Sequence, residues 1–233
     1  MKLSIVIPVF NEKNTIQELL KKVDSVDFGD TQKEIIIVDD GSTDGTKEIL
    51  KSLAGRFKVF FHEKNSGKGM ALRTGFNNAT GEIIVVQDAD LEYDPNDLKV
   101  LLDKMKEPEV LVVYGSRRFN RNYHYFEGRY SGHVYAVGGI FLTWLTNLLY
   151  GINISDEPTC YKMFRANLLL DLDLKCKRFE FCPEVTAKVA KRGIKIHEVP
   201  ISYYPRHKNE GKKIKIRDGI EAIITLLKYK FKR

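Results

Sequence analysis

Two rhythms of apolar and polar positions alternate along the first half of this chain. Short apolar runs read as strands at Leu3–Val9, Glu34–Val38, Lys58–His62, Glu82–Gln87 and Val110–Tyr114. Between them, apolar positions recur at helical spacing near 14–24, 43–54, 67–79 and 96–106. Ser42 or Thr43 stands where a cap for the second helix belongs, and Asp94-Pro95 where the fourth begins. Strands alternating with helices predict an α/β fold with a mainly parallel central sheet flanked by helices. Ligands of such sheets bind beyond the carboxyl ends of the strands. The polar clusters fall at those ends: Asn11-Glu12, Asp39-Asp40, then Asp88 and Asp90.

After residue 115 the rhythm changes. A polar, aromatic and basic stretch at 117–133 leads into residues 134–152, which carry no charged side chain. That length approaches a membrane span. Gly138-Gly139, Thr143, Thr146 and Asn147 interrupt it, and Tyr135, Trp144 and Tyr150 suit a membrane interface. An interfacial or core helix is therefore expected ahead of a true span. Strand signals follow near 161–164 and 195–204, with a helix near 183–191 and a basic amphipathic helix at 216–231. No repeat or low-complexity linker divides the chain. One domain is expected over 1–233, with halves at 1–115 and 116–215 and a C-terminal helix at 216–233.

Charge changes this picture more than composition does. The net charge is +7, and residues 205–233 hold ten Lys or Arg against three Asp or Glu. Such a segment points to an anionic partner: phosphates, an acidic membrane surface or nucleic acid. No RNA-binding aromatic motif or other nucleic-acid signature is present, so nucleic acid is set aside. The three cysteines, Cys160, Cys176 and Cys182, match no zinc or redox spacing. With no signal-peptide pattern, they read as reduced thiols of a cytoplasmic protein.

The candidate chemistry centres on DADLEYD, residues 88–94, directly after an apolar strand. Asp88 and Asp90 are two apart and project from one face of an extended chain, with Glu92 next in phase. Such hard oxygen ligands suit Mg²⁺ or Mn²⁺ carrying a diphosphate. The other reading is a solvated acidic turn, preferred for Asp94. VIPVFNE at 6–12 is by itself an ordinary strand-to-helix turn. In VDDGSTDGT at 38–46, Asp39 and Asp40 could accept hydrogen bonds from a base N–H or a ribose hydroxyl, while Asp44 reads as a cap. In NSGKGMALRTG at 65–75, glycines could let the backbone approach a ligand, and Lys68 could meet a phosphate. Neither a Walker pattern nor GxGxxG is present, which argues against a kinase or an NAD-dependent enzyme.

The ordered set VIPVFNE, VDDGSTDGT, NSGKG and DADLEYDP resembles the family-2 glycosyltransferases across nearly the whole chain. The resemblance implies a GT-A nucleotide-sugar fold, Rossmann-like in its strand–helix alternation. It implies that Pro8, Phe10, Glu12, Asp39 and Asp40 surround base and ribose. With Lys68 and Asp88 these form the expected donor site; Asp88, Asp90 and Glu92 form the expected metal site. Within the family the chain is most similar to the polyprenol-phosphate glycosyltransferases, the group of dolichol-phosphate mannose synthase. That likeness lies in GSR at 115–117, Arg129, SDEPTCYKMFR at 155–165 and EVPISYYPRHKNEGKK at 198–213. It implies that Arg117, Arg129, Arg206 and Lys213 hold the acceptor phosphate. Glu92 stands where the mannose synthases often have Gln. Several relatives continue into transmembrane helices, whereas this sequence ends at Arg233. The expectation is an enzyme peripheral on the cytoplasmic face of the membrane.

The implied reaction is metal-dependent, inverting transfer of a hexose from a nucleoside diphosphate sugar of GDP-mannose or UDP-glucose type. The implied acceptor is a polyprenyl or dolichyl phosphate. Asp90 and Arg117 are the expected catalytic residues. Asp156 joins them as a base if the acceptor is a hydroxyl; its other reading is a loop carboxylate paired with an arginine. Glu180 and Glu184 are weaker candidates for that base. The 134–150 helix and the C-terminal helix with Ile220, Ile223, Ile224, Leu226 and Leu227 are placed at an anionic bilayer. The competing assignment is core, or a contact between copies in an oligomer. Two rival functions stand: transfer to a sugar hydroxyl of a glycan or lipid-linked saccharide, and a non-catalytic module binding nucleotide sugar or nucleic acid. The complete acidic set argues against the second.

Overall fold

A computed structural model of the chain describes residues 1–118, 131–206 and 216–232. The first half alternates strand and helix: β1 (Lys2–Val9), α1 (Ile16–Ser25), β2 (Gln32–Asp39), α2 (Thr46–Leu53), β3 (Lys58–Phe61), α3 (Lys68–Asn77) and β4 (Ile83–Val86). A 3₁₀ turn at Pro95–Asp97 leads into α4 (Leu98–Met105), then β5 (Val112–Ser116) and α5 (Ser131–Tyr150). The rest comprises β6 (Lys162–Arg165), α6 (Ala166–Asp171), α7 (Phe181–Lys191), β7 (Ile196–Pro200) and α8 (Ile216–Phe231).

The strands form one sheet in the order β3-β2-β1-β4-β6-β5-β7. All pairings are parallel except those of β6, which runs against both β4 and β5. This is the α/β architecture expected from the alternation. Both faces of the sheet are covered, which is why β1 and β4 read as nearly unbroken apolar runs. Leu3, Ile5, Ile7, Ile83 and Val85 pack on one face against α1 and α4. Val6, Ile84 and Val86 pack on the other against α3 and α7. A third cluster, built on Ala187, Leu226 and Tyr229, joins α7 to α8 and the inner side of α5.

Element ends depart from the sequence expectation in informative ways. Asp94 caps as anticipated: its carboxylate accepts from the Asn96 N–H at 2.9 Å, with Pro95 behind it. α2 instead begins after Gly45, at φ 100°, and neither Ser42 nor Thr43 caps it. β5 lies two residues further on than the apolar run suggested, because Val110 closes the turn after α4. α6 was not anticipated. Among the described residues, no helix is long and apolar enough to cross a membrane.

Candidate active site

A cleft of about 980 Å³ opens at the carboxyl ends of β1, β2 and β4. It is lined there by Pro8, Phe10 and Glu12 and by the DADLE segment. It continues to a second wall of Leu142, Glu157, Phe181, Ile220 and Ile223, contributed by α5, α7, α8 and the loop before β6.

At the first end, two loops are clipped together. The N–H groups of Asn11 and Glu12 donate to the hydroxyls of Ser42 and Thr46, both at 2.9 Å. Thr43 N–H donates to Asn11 Oδ1 at 2.9 Å. Ser42 thus ties loops together where a helix cap was expected. Asn11 sits at φ 50°, a strained position of the kind that clusters at functional sites. The adjacent carboxylates Asp39 and Asp40 then differ. Asp40 accepts from the N–H groups of Ser66 at 2.9 Å and Gly67 at 2.7 Å, and faces His62 Nδ1 at 2.7 Å. It holds the loop before α3. Asp39 accepts from Ser42 N–H at 3.2 Å through Oδ2, while its buried Oδ1 has no partner among the described residues. An orphaned buried acceptor costs about 1–3 kcal/mol; Asp39 is fully buried, and Asp40 is the one of the pair that lines the cleft.

The glycines of the NSGKG loop have a packing use, and Gly67 also lines the cleft. A Cβ on Gly67, at φ 96°, would stand 2.3 Å from the Lys177 carbonyl oxygen. Gly69 N–H donates to the Arg178 carbonyl at 2.9 Å. These glycines let the α3 entrance pack against the chain at 176–178. Lys68 pairs with Asp88 at 2.6 Å and reaches Cys160 Sγ at 3.1 Å. Burial alone would lower its pKa, but Asp88 raises it well above the ordinary value, so Lys68 carries its charge into the cleft.

The acidic segment is a turn, not an extended ribbon. Leu91 sits at φ 62°, and Asp90 Oδ1 accepts the Glu92 N–H at 3.1 Å. The two-residue phase is lost after Asp90, and Glu92 is tied to other partners. Its carboxylate accepts from Tyr203 Oη and from the Arg206 N–H, both at 2.8 Å. Among the described residues, no three His, Cys, Asp or Glu side chains are gathered as a cation site. Asp88 and Asp90 do fit a divalent ion that completes its shell with ligand oxygens. Burial, then the charges of Asp88 and Glu92, push Asp90 up to about 7 against the pull of Arg206. That excess of negative charge is what such an ion relieves.

Two arginines mark the second side. Arg117 is clamped by Asp156, with Nε at 2.7 Å from Oδ2 and one terminal nitrogen at 2.8 Å from Oδ1. Its guanidinium lies 4.9 Å from the Tyr203 ring centroid. Burial alone would raise the pKa of Asp156; Arg117 overrides it and holds the group below the ordinary value. Asp156 therefore sits in the loop-carboxylate arrangement, fully engaged with an arginine. Arg206 forks onto Glu12 with two 3.1 Å hydrogen bonds and lies 3.4 Å from Asp90. Its buried Nε has no partner among the described residues. Arg129 and Lys213 lie outside the described residues. Glu180 and Glu184 serve the chain: Glu180 accepts from Lys177 N–H at 2.8 Å, and Glu184 from Lys175 N–H at 2.7 Å and Tyr229 Oη at 2.8 Å. Two site residues escaped sequence reasoning, Tyr203 and Glu157. Both lie inside motifs that were singled out, but side-chain direction there is set by long-range packing.

The chain is similar to known proteins in sequence and in fold. The sequence profile described as glycosyl transferase family 2 matches residues 4–172. An undecaprenyl-phosphate 4-deoxy-4-formamido-L-arabinose transferase of Edwardsiella ictaluri is 30% identical over 96% of this chain and 65% of its own length. A dolichol-phosphate mannosyltransferase of Pyrococcus furiosus is 28% identical over 91% of this chain and 59% of its own. The chain thus spans about two thirds or less of the length of these relatives. Among solved structures, glucosyl-3-phosphoglycerate synthase of Mycobacterium tuberculosis with Mn²⁺ and UDP-glucose superposes with a TM-score of 0.72 at 20% identity, covering 98% of this chain and 78% of that one. The expected GT-A fold is thereby met.

Proposed function

The chain belongs to glycosyl transferase family 2, and on that premise we propose that it transfers a hexose from a nucleoside diphosphate sugar to a polyprenyl phosphate at a membrane surface. The observation that carries this reading is one cleft with acidic donor-side groups at one end and arginines converging on it from the other side. The names of the two relatives support the acceptor class.

In this reading Asp39 Oδ1 accepts from the base or ribose, beside Pro8, Phe10 and Glu12. Asp88 and Asp90 would hold Mg²⁺ or Mn²⁺, which supplies charge neutralisation on the departing diphosphate when bound. Lys68, half-buried and kept charged by Asp88, adds a second cation at that end. Arg206 offers its Nε to the acceptor phosphate, and Arg117 borders the same space. Arg129 and Lys213 join them by family resemblance alone. A phosphate monoester has a second pKa of about 6 and is largely ionised at neutral pH. It attacks the anomeric carbon with inversion and needs positioning more than a base. Asp156, paired to Arg117, then acts by holding that arginine in place.

The membrane enters through the outer faces of α5 and α8. Val137, Ile140, Trp144 and Leu148 are exposed on α5, and Ile220, Ile224, Leu227 and Phe231 on α8. Lys228, Lys230 and Lys232 follow on the same helix end, a pattern that suits anionic headgroups. The cleft reaches both helices, so an acceptor lipid would arrive beside the arginines. The cytoplasmic face is the expected side.

The test is a transfer assay with UDP- and GDP-sugars, Mg²⁺ or Mn²⁺, and a short polyprenyl phosphate in detergent. A lipid-extractable product from one donor is expected. Donor hydrolysis without lipid product would replace the acceptor class by a sugar hydroxyl.

A further inference from the structure

We infer that Glu157 selects the donor's sugar, its carboxyl group hydrogen-bonding neighbouring sugar hydroxyls at the second wall of the cleft. The inference rests on the proposed function for the presence of a nucleotide sugar and goes beyond it in naming the group that reads the sugar.

The loop fixes where this side chain goes. Glu157 N–H donates to Thr143 Oγ1 of α5 at 3.1 Å, and its carbonyl accepts from Lys162 Nζ at 2.7 Å. The residue before it is clamped by Arg117. Glu198 of β7 holds the same loop, accepting from Ser155 N–H at 2.8 Å and Asp156 N–H at 3.2 Å. Anchored so, Glu157 is fully buried and lines the cleft.

Its carboxyl group is only weakly used by the fold. Neither oxygen has an aligned hydrogen-bond partner among the described residues. The Thr186 hydroxyl lies near enough to lower the pKa, and it also meets Tyr114 Oη at 3.0 Å, so it is at most one donor for two carboxyl oxygens. The nearest cation, Lys162, gives its ammonium to a backbone carbonyl and to the Tyr114 ring, 3.6 Å from the centroid. Burial raises the carboxyl to about 8, so it is protonated at neutral pH and offers one donor beside its acceptors. A packing role would be met more cheaply by an apolar side chain of similar volume.

The chemistry of the other ligand parts excludes them. A polyprenyl tail brings no donor or acceptor, and Leu142, Ile220 and Ile223 suit it. A phosphate here would meet a carboxyl group whose nearest cation, Lys162, is already engaged. The base has Asp39 at the opposite end. Sugar hydroxyls, which both donate and accept, match a protonated carboxyl. The placement agrees: Cys160, three residues on, touches Lys68, which pairs with Asp88.

The test measures Kd for a panel of UDP- and GDP-sugars, and for UDP and GDP alone, in wild type, Glu157→Gln and Glu157→Ala. The quantity of interest is the Kd of the preferred sugar nucleotide divided by that of its own diphosphate. This ratio is expected to rise about tenfold in Glu157→Ala and less in Glu157→Gln, with the Kd of the diphosphate unchanged. An unchanged ratio in Glu157→Ala overturns the inference, as does a parallel loss of diphosphate binding in Glu157→Gln. Wild-type protein that binds neither UDP nor GDP would instead overturn the proposed function itself, and this inference with it.

Discussion

The two ends of the cleft are built by different means. At the donor end, β1, β2 and β4 lie in parallel register, so Asp39, Asp40 and Asp88 arrive where the ladder puts them. At the other end the groups hold one another: Arg117 by Asp156, the loop of Asp156 by Glu198, α8 by the Tyr229–Glu184 hydrogen bond. Asp90 at the donor end can be removed while its scaffold stays, although Asp40 beside it anchors the loop before α3. A side chain at the other end is part of its scaffold. Function and stability should therefore separate at one end and travel together at the other.

The largest effect expected is Asp90→Ala, which sharpens the donor side of the contrast. Transfer should fall by about 10²–10³-fold, and a chelator should abolish wild-type activity. Thermal stability should hold or rise, because Asp90 is half-buried beside the charges of Asp88 and Glu92. Undiminished activity would remove Asp90 from the mechanism. Next comes Arg117→Ala, which strands a buried Asp156 and should cost about 3–5 kcal/mol in denaturant unfolding. Replacing both partners by leucine should recover most of that loss while activity stays low. A cost under about 1 kcal/mol would break the comparison, since Arg117 would then be as separable as Asp90.

A smaller effect tests the outer surface. Ile224→Glu or Trp144→Glu should weaken binding to vesicles of anionic lipid by about tenfold, with donor binding and melting temperature unchanged. Unaltered vesicle binding would assign that face to a contact between copies, readable as a change in oligomeric state. Smallest is a pair of opposite pH effects. Glu34, at the foot of the sheet, resists the burial that would raise its pKa and is brought to about 2 by Lys58, Ser4 and Thr80. Its contribution is present above its ordinary pKa and is lost as pH falls toward 2. Glu157 is shifted the other way, to about 8, so its contribution is full below its ordinary pKa and fades as pH rises through 8. Between pH 6 and 8, melting temperatures of Glu157→Gln should fall less than those of the wild type, with the decline due to Asp90 common to both; matching curves would show Glu157 to be charged throughout.

Much of the donor end was legible because its causes are local. Apolar runs of period two and helices of period 3.6 lie within single windows of the chain, and a parallel sheet delivers whatever follows its strands. Asp39, Asp88 and Asp90 were therefore found at the strand ends where the alternation put them. Tertiary structure decided how each is used. Leu91 turned the chain and sent Glu92 to Tyr203 and Arg206. Gly67 and Gly69 proved to seat the 176–178 segment. Asp40 became a loop anchor beside an Asp39 with one oxygen left over. The antiparallel insertion of β6 between β4 and β5, and the burial of Glu157 behind it, left no mark in any window. Sequence by itself determined the strands, the helices and the acidic strand ends, since those follow from backbone geometry and residue spacing. Only the folded chain decided which carboxylates are tied down and which face the cleft, because that depends on partners up to 194 residues away, as between Glu12 and Arg206.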